Sequence, residues 1–448
     1  MASHHLNQFW SRTVMSACHS EPAILHAALA VAGAHKAYCD RQSGESNVVG
    51  VRSLLTTSTY SHYDQALRYL KRLIVVQSPQ QYETVLIVCL VLLTFDMIEG
   101  RYGEAHLHLV HGRRLIKDIN NRKSDDVHVP LSLPPVLSTT MDEINYSFAL
   151  MDLQSVNFGS MKQHFALVAD PALDDASCLE IPMSFANFDD AWRYMLLLSS
   201  RCYGLFDRIN TLGSSKYELL TNDLGFGNQQ SSYLAELAKW KEAFDKSSFR
   251  TLSTSQTSLE DKAGTKATLL RLQHLTLHVC LIAALHVGNE MFYDTLTPEF
   301  SRLVGFCEEL LPSLPAITIE TGIIQPLFLT GCICRHPDVR RRILRLLSPA
   351  RKEGYWDSKL IGMITRERMV FEEDLAGYIH DDWKAPQYDI ELAQLIPREA
   401  RWSESWMFFV AEDYSVAEVT FRRRKLYPNL FIDGEDEHET RTKLVRFK

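Results

Sequence analysis

The chain has 448 residues, 46% apolar and 23% charged, with 47 lysines and arginines against 55 aspartates and glutamates, a net charge of −8. That composition suits a globular chain able to bury a large core, and it excludes wholesale disorder. A mildly acidic chain is not a nucleic-acid-binding module as a whole, so any DNA contact has to be local.

The N-terminus, from Met1 through His5, shows neither a basic n-region nor an apolar h-region, so no secretory signal is visible. The longest apolar run, Val85 to Leu93, is about half of a bilayer span. Nine cysteines are scattered, from Cys18 and Cys39 through Cys89, Cys178, Cys202, Cys280 and Cys307 to Cys332 and Cys334. An odd count inside apolar runs predicts buried thiols in a reducing compartment, not a disulfide framework. The expectation is a soluble intracellular chain without a membrane partner.

Helical periodicity dominates. His19-Ser20-Glu21-Pro22 reads as a helix start, with Ser20 as the cap, followed by a helix over Ala23–Tyr38. Further helices are predicted over 62–76, 81–98 and 101–119, with Gly100 as a tight turn between the last two. Later ones fall at 141–157, 187–208, 231–245, 265–287, 297–311, 318–333, 338–347 and 357–374. Tyr63-x-x-Ala66-x-x-x-Leu70 and Tyr102-x-x-Ala105-x-x-x-Leu109 form a two-copy repeat offset by 39 residues. It resembles the second helix of a tetratricopeptide-like hairpin, where a small Ala admits a neighbouring helix. Residues 41–59, 120–139 and 247–266 read as loops, none a clean domain boundary. Around 406–410 and 416–421 the period changes to 2 and predicts two strands. The expected architecture is all-α: an irregular bundle or superhelix of stacked helical hairpins over 1–400. A small C-terminal β-hairpin and an acidic, basic-flanked tail over 401–448 pack on that body, with 433–437 solvated.

No catalytic constellation is present. Nucleophile elbow, phosphate loop and His-Glu-x-x-His are missing from the sequence. Gly225-Phe226-Gly227 lacks a third glycine and a preceding strand, and reads as a loop. Cys332-x-Cys334 is too closely spaced for a zinc knuckle and reads as a buried helix end. His106, His108 and His111 read as a mixed polar helix face, with His108 and His111 on one side. In Asp338–Leu347, Val339, Ile343, Leu346 and Leu347 form the core stripe, and Arg340, Arg341 and Arg342 read as the solvated side, with a DNA or acidic-partner contact as the alternative. Arg422-Arg423-Arg424-Lys425 reads as an exposed strand end, with an import signal or an acidic partner as the alternative. Asn145-Tyr146-Ser147 matches a glycosylation acceptor within a predicted helix. No catalytic, cofactor-binding or metal-ligating residue is assigned, and no cofactor is expected.

Four segments resemble the fungal-specific transcription factor domain, the regulatory region of fungal zinc binuclear cluster regulators. They are Phe9-Trp10-Ser11-Arg12 with His19 to Ala30, then Cys89 to Phe95 with Glu99 to Leu115. Pro326-Leu327-Phe328 with Pro337 to Arg342 and Glu353 to Ser358 comes third, and Val416 to Arg423 closes the set. The resemblance implies a non-enzymatic nuclear regulator of RNA polymerase II transcription. It further implies protein partners, from the transcription machinery or through homo- or heterodimerisation. Family members bind DNA through an N-terminal six-cysteine zinc cluster, yet no Cys-x2-Cys pair occurs in this sequence. DNA contact is therefore expected only indirectly or through a module missing from this chain. The alternative expectation is a helical interaction scaffold that pairs with a full-length relative.

Overall fold

The computed structural model describes residues 9–43, 49–76, 81–123, 138–157, 179–211, 224–247, 258–286, 289–377, 395–410, 415–424 and 438–446. Its long helices are α1 (Pro22–Ser43), α2 (Val49–Val76), α3 (Tyr82–Glu99), α4 (Tyr102–Lys123), α5 (Thr140–Asn157), α6 (Phe188–Thr211), α7 (Leu224–Lys246), α8 (Ser258–Ala284), α9 (Thr297–Leu310), α10 (Ile324–Ile333), α11 (Pro337–Leu347) and α12 (Ser358–Leu375). Strands β1 (Ile317–Thr318), β2 (Lys352–Glu353) and β3 (Trp356–Asp357) form one small sheet; β4 (Glu404–Phe409), β5 (Val416–Arg424) and β6 (His438–Arg446) form another. The fold is mostly α-helical, as the periodicity predicts.

The chain divides into two compact units, the first comprising 1–177, 315–321 and 352–356 and the second 178–314, 322–351 and 357–448. In the first unit α3 is the central helix. Every residue from Val85 to Ile98 is buried. A helix apolar all round has no solvent side, so neighbours must cover it on several faces. Helices α1, α2, α4 and α5 do so. Both copies of the repeat lie on covering faces: Tyr63, Ala66 and Leu70 on α2, and Tyr102, Ala105 and Leu109 on α4, are all buried. Gly100 ends α3 with a left-handed φ of 72°. Its turn is closed by Arg101 N donating to Asp96 O at 2.7 Å and Gly100 N to Met97 O at 3.1 Å. Only glycine takes that conformation without a Cβ penalty.

The second unit is built on α8. Its segment Ala263–Ala284 is long and apolar enough to cross a membrane by composition. Yet α6, α7 and α9 pack against it, and Leu269, Leu270, Leu272, Leu275, Leu277, Val279 and Leu281 are buried among the unit's own side chains. The second sheet is antiparallel in the order β4-β5-β6. It packs on α12: Phe371 meets Phe421 edge-on at 5.4 Å, Arg441 lies over the Phe371 ring, and Lys443 pairs with Glu367 at 3.4 Å.

Several expectations are corrected. Ser20 does not cap α1; its hydroxyl donates backward to Ala17 O at 3.4 Å. The 41–59 loop is largely helix, since α1 runs to Ser43 and α2 begins at Val49. The 247–266 loop gives way to α8 at Ser258. Gly225–Gly227 lies in the first turn of α7, not a loop. The helix expected over 318–333 begins only at Ile324, because β-branched Ile317 and Thr318 pair in parallel with Lys352 and Glu353. The C-terminal sheet has a third strand, β6, whose Thr440, Thr442 and Leu444 alternate with Arg441, Lys443 and Val445. The 433–437 stretch lies outside the described residues.

Leu92 is fully buried at the centre of α3. Leu92→Ala is expected to lower unfolding free energy by about 2–5 kcal/mol, the transfer loss plus a cavity. Urea denaturation of wild type and variant checks this. A loss inside the surface-mutation range, below ~0.5 kcal/mol, would place α3 at the periphery.

Candidate functional site

The sequence offers no catalytic cluster, and the chemistry-bearing side chains meet instead in buried networks. In the second unit they converge on one carboxylate. Pro337 opens α11, where a missing N–H costs nothing, and Val339, Ile343, Leu346 and Leu347 face the core as the stripe requires. Arg340 faces inward too: only 1% of it is exposed. Its Nε donates to Cys334 O at 2.6 Å, and its Nη2 donates to Glu372 on α12. Arg335 donates through Nη2 to Glu372 Oε1 and to Trp402 O, both at 2.9 Å, and lies 2.8 Å from Glu290. Arg368 donates to the same Trp402 carbonyl. Trp402 N closes the ring by donating to Glu372 Oε1 at 2.9 Å.

Burial alone would raise the Glu372 pKa. The charges of Arg335, Arg340 and Arg368 more than reverse this and hold the carboxyl well below the usual range. Arg341 forms a two-pronged pair with Glu373 at 2.7 and 2.8 Å, and Arg342 does the same with Glu308 at 2.9 and 2.7 Å. The reading of these three arginines as a solvated face is therefore corrected. Guanidinium forks match carboxylates two-to-two, and each fork here has found one.

The first unit holds a different network. Asp96, in the last turn of α3, is fully buried. Tyr63 Oη donates to its Oδ2 at 3.2 Å, His108 Nε2 lies 3.4 Å from the same oxygen, and Arg101 Nη1 lies 3.4 Å from Oδ1. Arg101 also covers the Tyr63 ring at 5.0 Å. Burial pushes the Asp96 pKa up to about 8, against the pull of Arg101. Burial, helped by the charge of His111, pushes His108 down to about 4. The histidine trio on α4 is thus not one polar face: His108 is turned into the core while His111 is exposed.

The Glu353–Ser358 motif is a turn locked from both sides. Gly354 has φ of 58°, and a Cβ there would lie 1.8 Å from Gln154 Oε1. Gln154 Nε2 donates to Ile319 O at 2.8 Å, and Lys352 Nζ donates to Ile98 O at 2.8 Å. Tyr355 is buried beside the Arg113–Asp152 pair, which is 2.6 Å long. Asp357 caps α12 by accepting from Lys359 N and Leu360 N. Ser358 Oγ accepts from Arg351 N and donates to Pro349 O.

Cys334 ends α10 as a buried helix end, as expected, and burial raises both its thiol and that of Cys332. Among the described residues no three His, Cys, Asp or Glu side chains group as metal ligands. The eight described cysteines are free thiols. Arg423 is not a loose strand end: it pairs with Glu439 at 2.6 Å and lies over the Trp402 ring at 5.0 Å. Lys425 lies outside the described residues. The Asn145–Ser147 stretch is helical, with Ser147 buried.

These networks tie elements together; none presents an acid and a base to a common substrate position. A family model for the fungal specific transcription factor domain matches residues 2–359, and the chain belongs to that family. The match ends before the second sheet. Neither a curated protein nor a solved structure matches the chain. Membership gives the chain a regulatory role in transcription, in a family that is nuclear and non-enzymatic in general.

The buried and half-exposed pairs should respond differently to truncation. Arg340→Ala removes one partner of a buried pair and is expected to cost about 3–5 kcal/mol in urea unfolding. Arg342→Ala, in a half-exposed pair, should cost less than about 1 kcal/mol. Similar losses for both would disconnect burial from the effect.

The Asp96 network should also make stability depend on pH. A raised carboxyl pKa means that the folded state holds the extra proton between about 4 and 8, so this contribution falls as pH rises. A lowered histidine pKa acts the opposite way between about 4 and 6.5, since there the unfolded chain binds the proton. The two oppose each other below pH 6.5; above it the contribution of His108, like those of His106, His274 and His278, fades over about a unit, and that of Asp96 persists. From pH 6.5 to 8 wild-type stability should therefore slope more steeply downward than that of Asp96→Asn, by ~1.3 kcal/mol per unit near pH 6.5 and by about half of that at pH 8. Asp96→Asn should flatten that limb. Urea unfolding at pH 6.5, 7.25 and 8 measures it; equal slopes in both proteins would sink the assignment.

Proposed function

We propose that this chain is the regulatory domain of a fungal regulator of RNA polymerase II transcription, working in the nucleus through protein partners. Sequence-specific DNA contact comes from a partner or from a zinc-cluster module outside this sequence. The observation that carries this reading is the fate of the basic motif in α11. Arg340, Arg341 and Arg342 are each committed to a carboxylate, Glu372, Glu373 and Glu308 respectively. A helix that reads bases needs free side chains at its groove face and cations to meet phosphates. Arg422 and Arg423 also make internal interactions. The net charge of −8 adds a repulsive background to any duplex.

The test is a fluorescence-anisotropy titration of the purified chain against a duplex carrying CGG repeats and a scrambled duplex, at about 150 mM salt. Equal, weak binding to both, lost steeply as salt rises, is expected. A preference of about 1,000-fold for the repeat duplex, the lower end for specific binders, would move DNA recognition into the helical body.

A further inference from the structure

His26 on α1 and His62 on α2 point at one another across the first helical hairpin. Their Nδ1 atoms are 2.9 Å apart. The ring centroids are 5.1 Å apart and the planes differ by 25°. Tyr69 lies parallel to His26, with 5.7 Å between centroids and 10° between planes, and so limits its tilt. Both histidines are half-buried, so solvent reaches the pair. The helices beneath are closely packed. Gly33 sits so close to α2 that a Cβ on it would lie 2.1 Å from Thr59 Oγ1.

Two imidazole nitrogens facing each other at this distance need something positive between them. A proton suffices: one Nδ1–H then donates to the other Nδ1. A second proton is disfavoured, because burial and the His62 charge both lower the His26 pKa. A metal ion is the other occupant that satisfies both lone pairs. With Zn–N bonds of about 2.0–2.1 Å, a tetrahedral ion sets two nitrogens about 3.3 Å apart. The rings reach that separation by swinging Nδ1 outward by a few tenths of an ångström, leaving both Nε2–H groups as donors to solvent.

We propose that His26 and His62 form a two-histidine site for a borderline divalent cation of the zinc, copper or nickel class, which bridges α1 and α2 through both Nδ1 atoms. Imidazole selects these ions over magnesium and calcium, which take oxygen ligands. Among the described residues no third His, Cys, Asp or Glu joins the pair. Water therefore fills the remaining positions, and the site is an exchangeable one, unlike a closed structural zinc with four protein ligands. It is independent of the transcription reading, which rests on other residues.

The experiment is calorimetric titration of zinc chloride into the metal-stripped chain at pH 7.5, repeated with His26→Gln, His62→Gln and, as a control, the exposed His111→Gln. One saturable event is expected in wild type and in His111→Gln, weakened about tenfold or more in either of the other variants. Calcium chloride should give no event. Zinc should also raise the melting temperature of wild type, and by clearly less that of His26→Gln at the same concentration. A measurement on the wild-type chain alone guards against a variant that misfolds: in 15N-histidine-labelled protein, zinc should shift two Nδ1 resonances and their paired Nε2 resonances together. Zinc binding that survives both His26→Gln and His62→Gln overturns the site as adventitious. No binding, with the 15N spectrum unmoved, overturns it in favour of a shared proton.

Discussion

A carboxylate sealed from water must be compensated, and Glu372 is compensated by three guanidiniums at once. Each comes from a different place: Arg335 lies just beyond α10, Arg340 lies in α11, and Arg368 lies one turn before Glu372 in α12. Trp402 contributes its backbone on both sides, donating to Glu372 and accepting from Arg335 and Arg368. The residue that leads into β4 is thereby tied to the same point as three helices. Removing water makes each of these interactions stronger and makes any missing one costly. The order of elements in the second unit is therefore enforced by charge as well as by apolar burial. Trp402 is itself fully buried, with Arg423 against its ring.

The first unit solves the same problem in another way. Asp96 has one guanidinium, at 3.4 Å, where Glu372 has three. One cation at that distance does not offset the loss of water, and the carboxyl keeps its proton into the neutral range. A protonated acid can sit beside a neutral His108 and the Tyr63 hydroxyl without an uncompensated charge. It also suits the end of α3, where the helix dipole is negative and an ionised carboxylate would be repelled. Two buried acids of similar burial thus end in opposite protonation states, and the number of nearby arginines decides which.

The parts of this fold legible in the sequence are those set by short-range periodicity. The apolar circumference of Val85–Ile98 marks a central helix, and the paired Tyr-Ala-Leu faces mark helices that need close neighbours. Hidden from local pattern is where long polar side chains find partners. Glu372-Glu373-Asp374 looks like any solvated helix end, yet Glu372 is fully buried. Arg340 carried a usable signal: it falls with Ile343 and Leu347 at i, i+3 and i+7, inside the apolar stripe. The partner of Arg340 lies 32 residues away, a pairing that local pattern cannot encode. The strand at Ile317–Thr318 was hidden by the helical character of the residues after it, and β6 by the acidic stretch before it.

The pairing of basic residues bears on how such a domain can regulate. Duplex DNA is a dense polyanion, and a free arginine-rich helix binds it without regard to sequence. A regulatory domain with that property would be drawn to DNA everywhere, which dilutes any specific contact made elsewhere. Here Arg340, Arg341 and Arg342 of α11 are spent internally, two of them in forks that fix both prongs. The carboxylates that hold them do two jobs: they fasten α11 to α9 and α12, and they cancel the field that phosphates would feel. Under the function proposed above, an acidic chain built this way contributes little to locating a promoter. On that proposal, the surface serves contacts with proteins, and selectivity for a gene enters through a partner or a separate module.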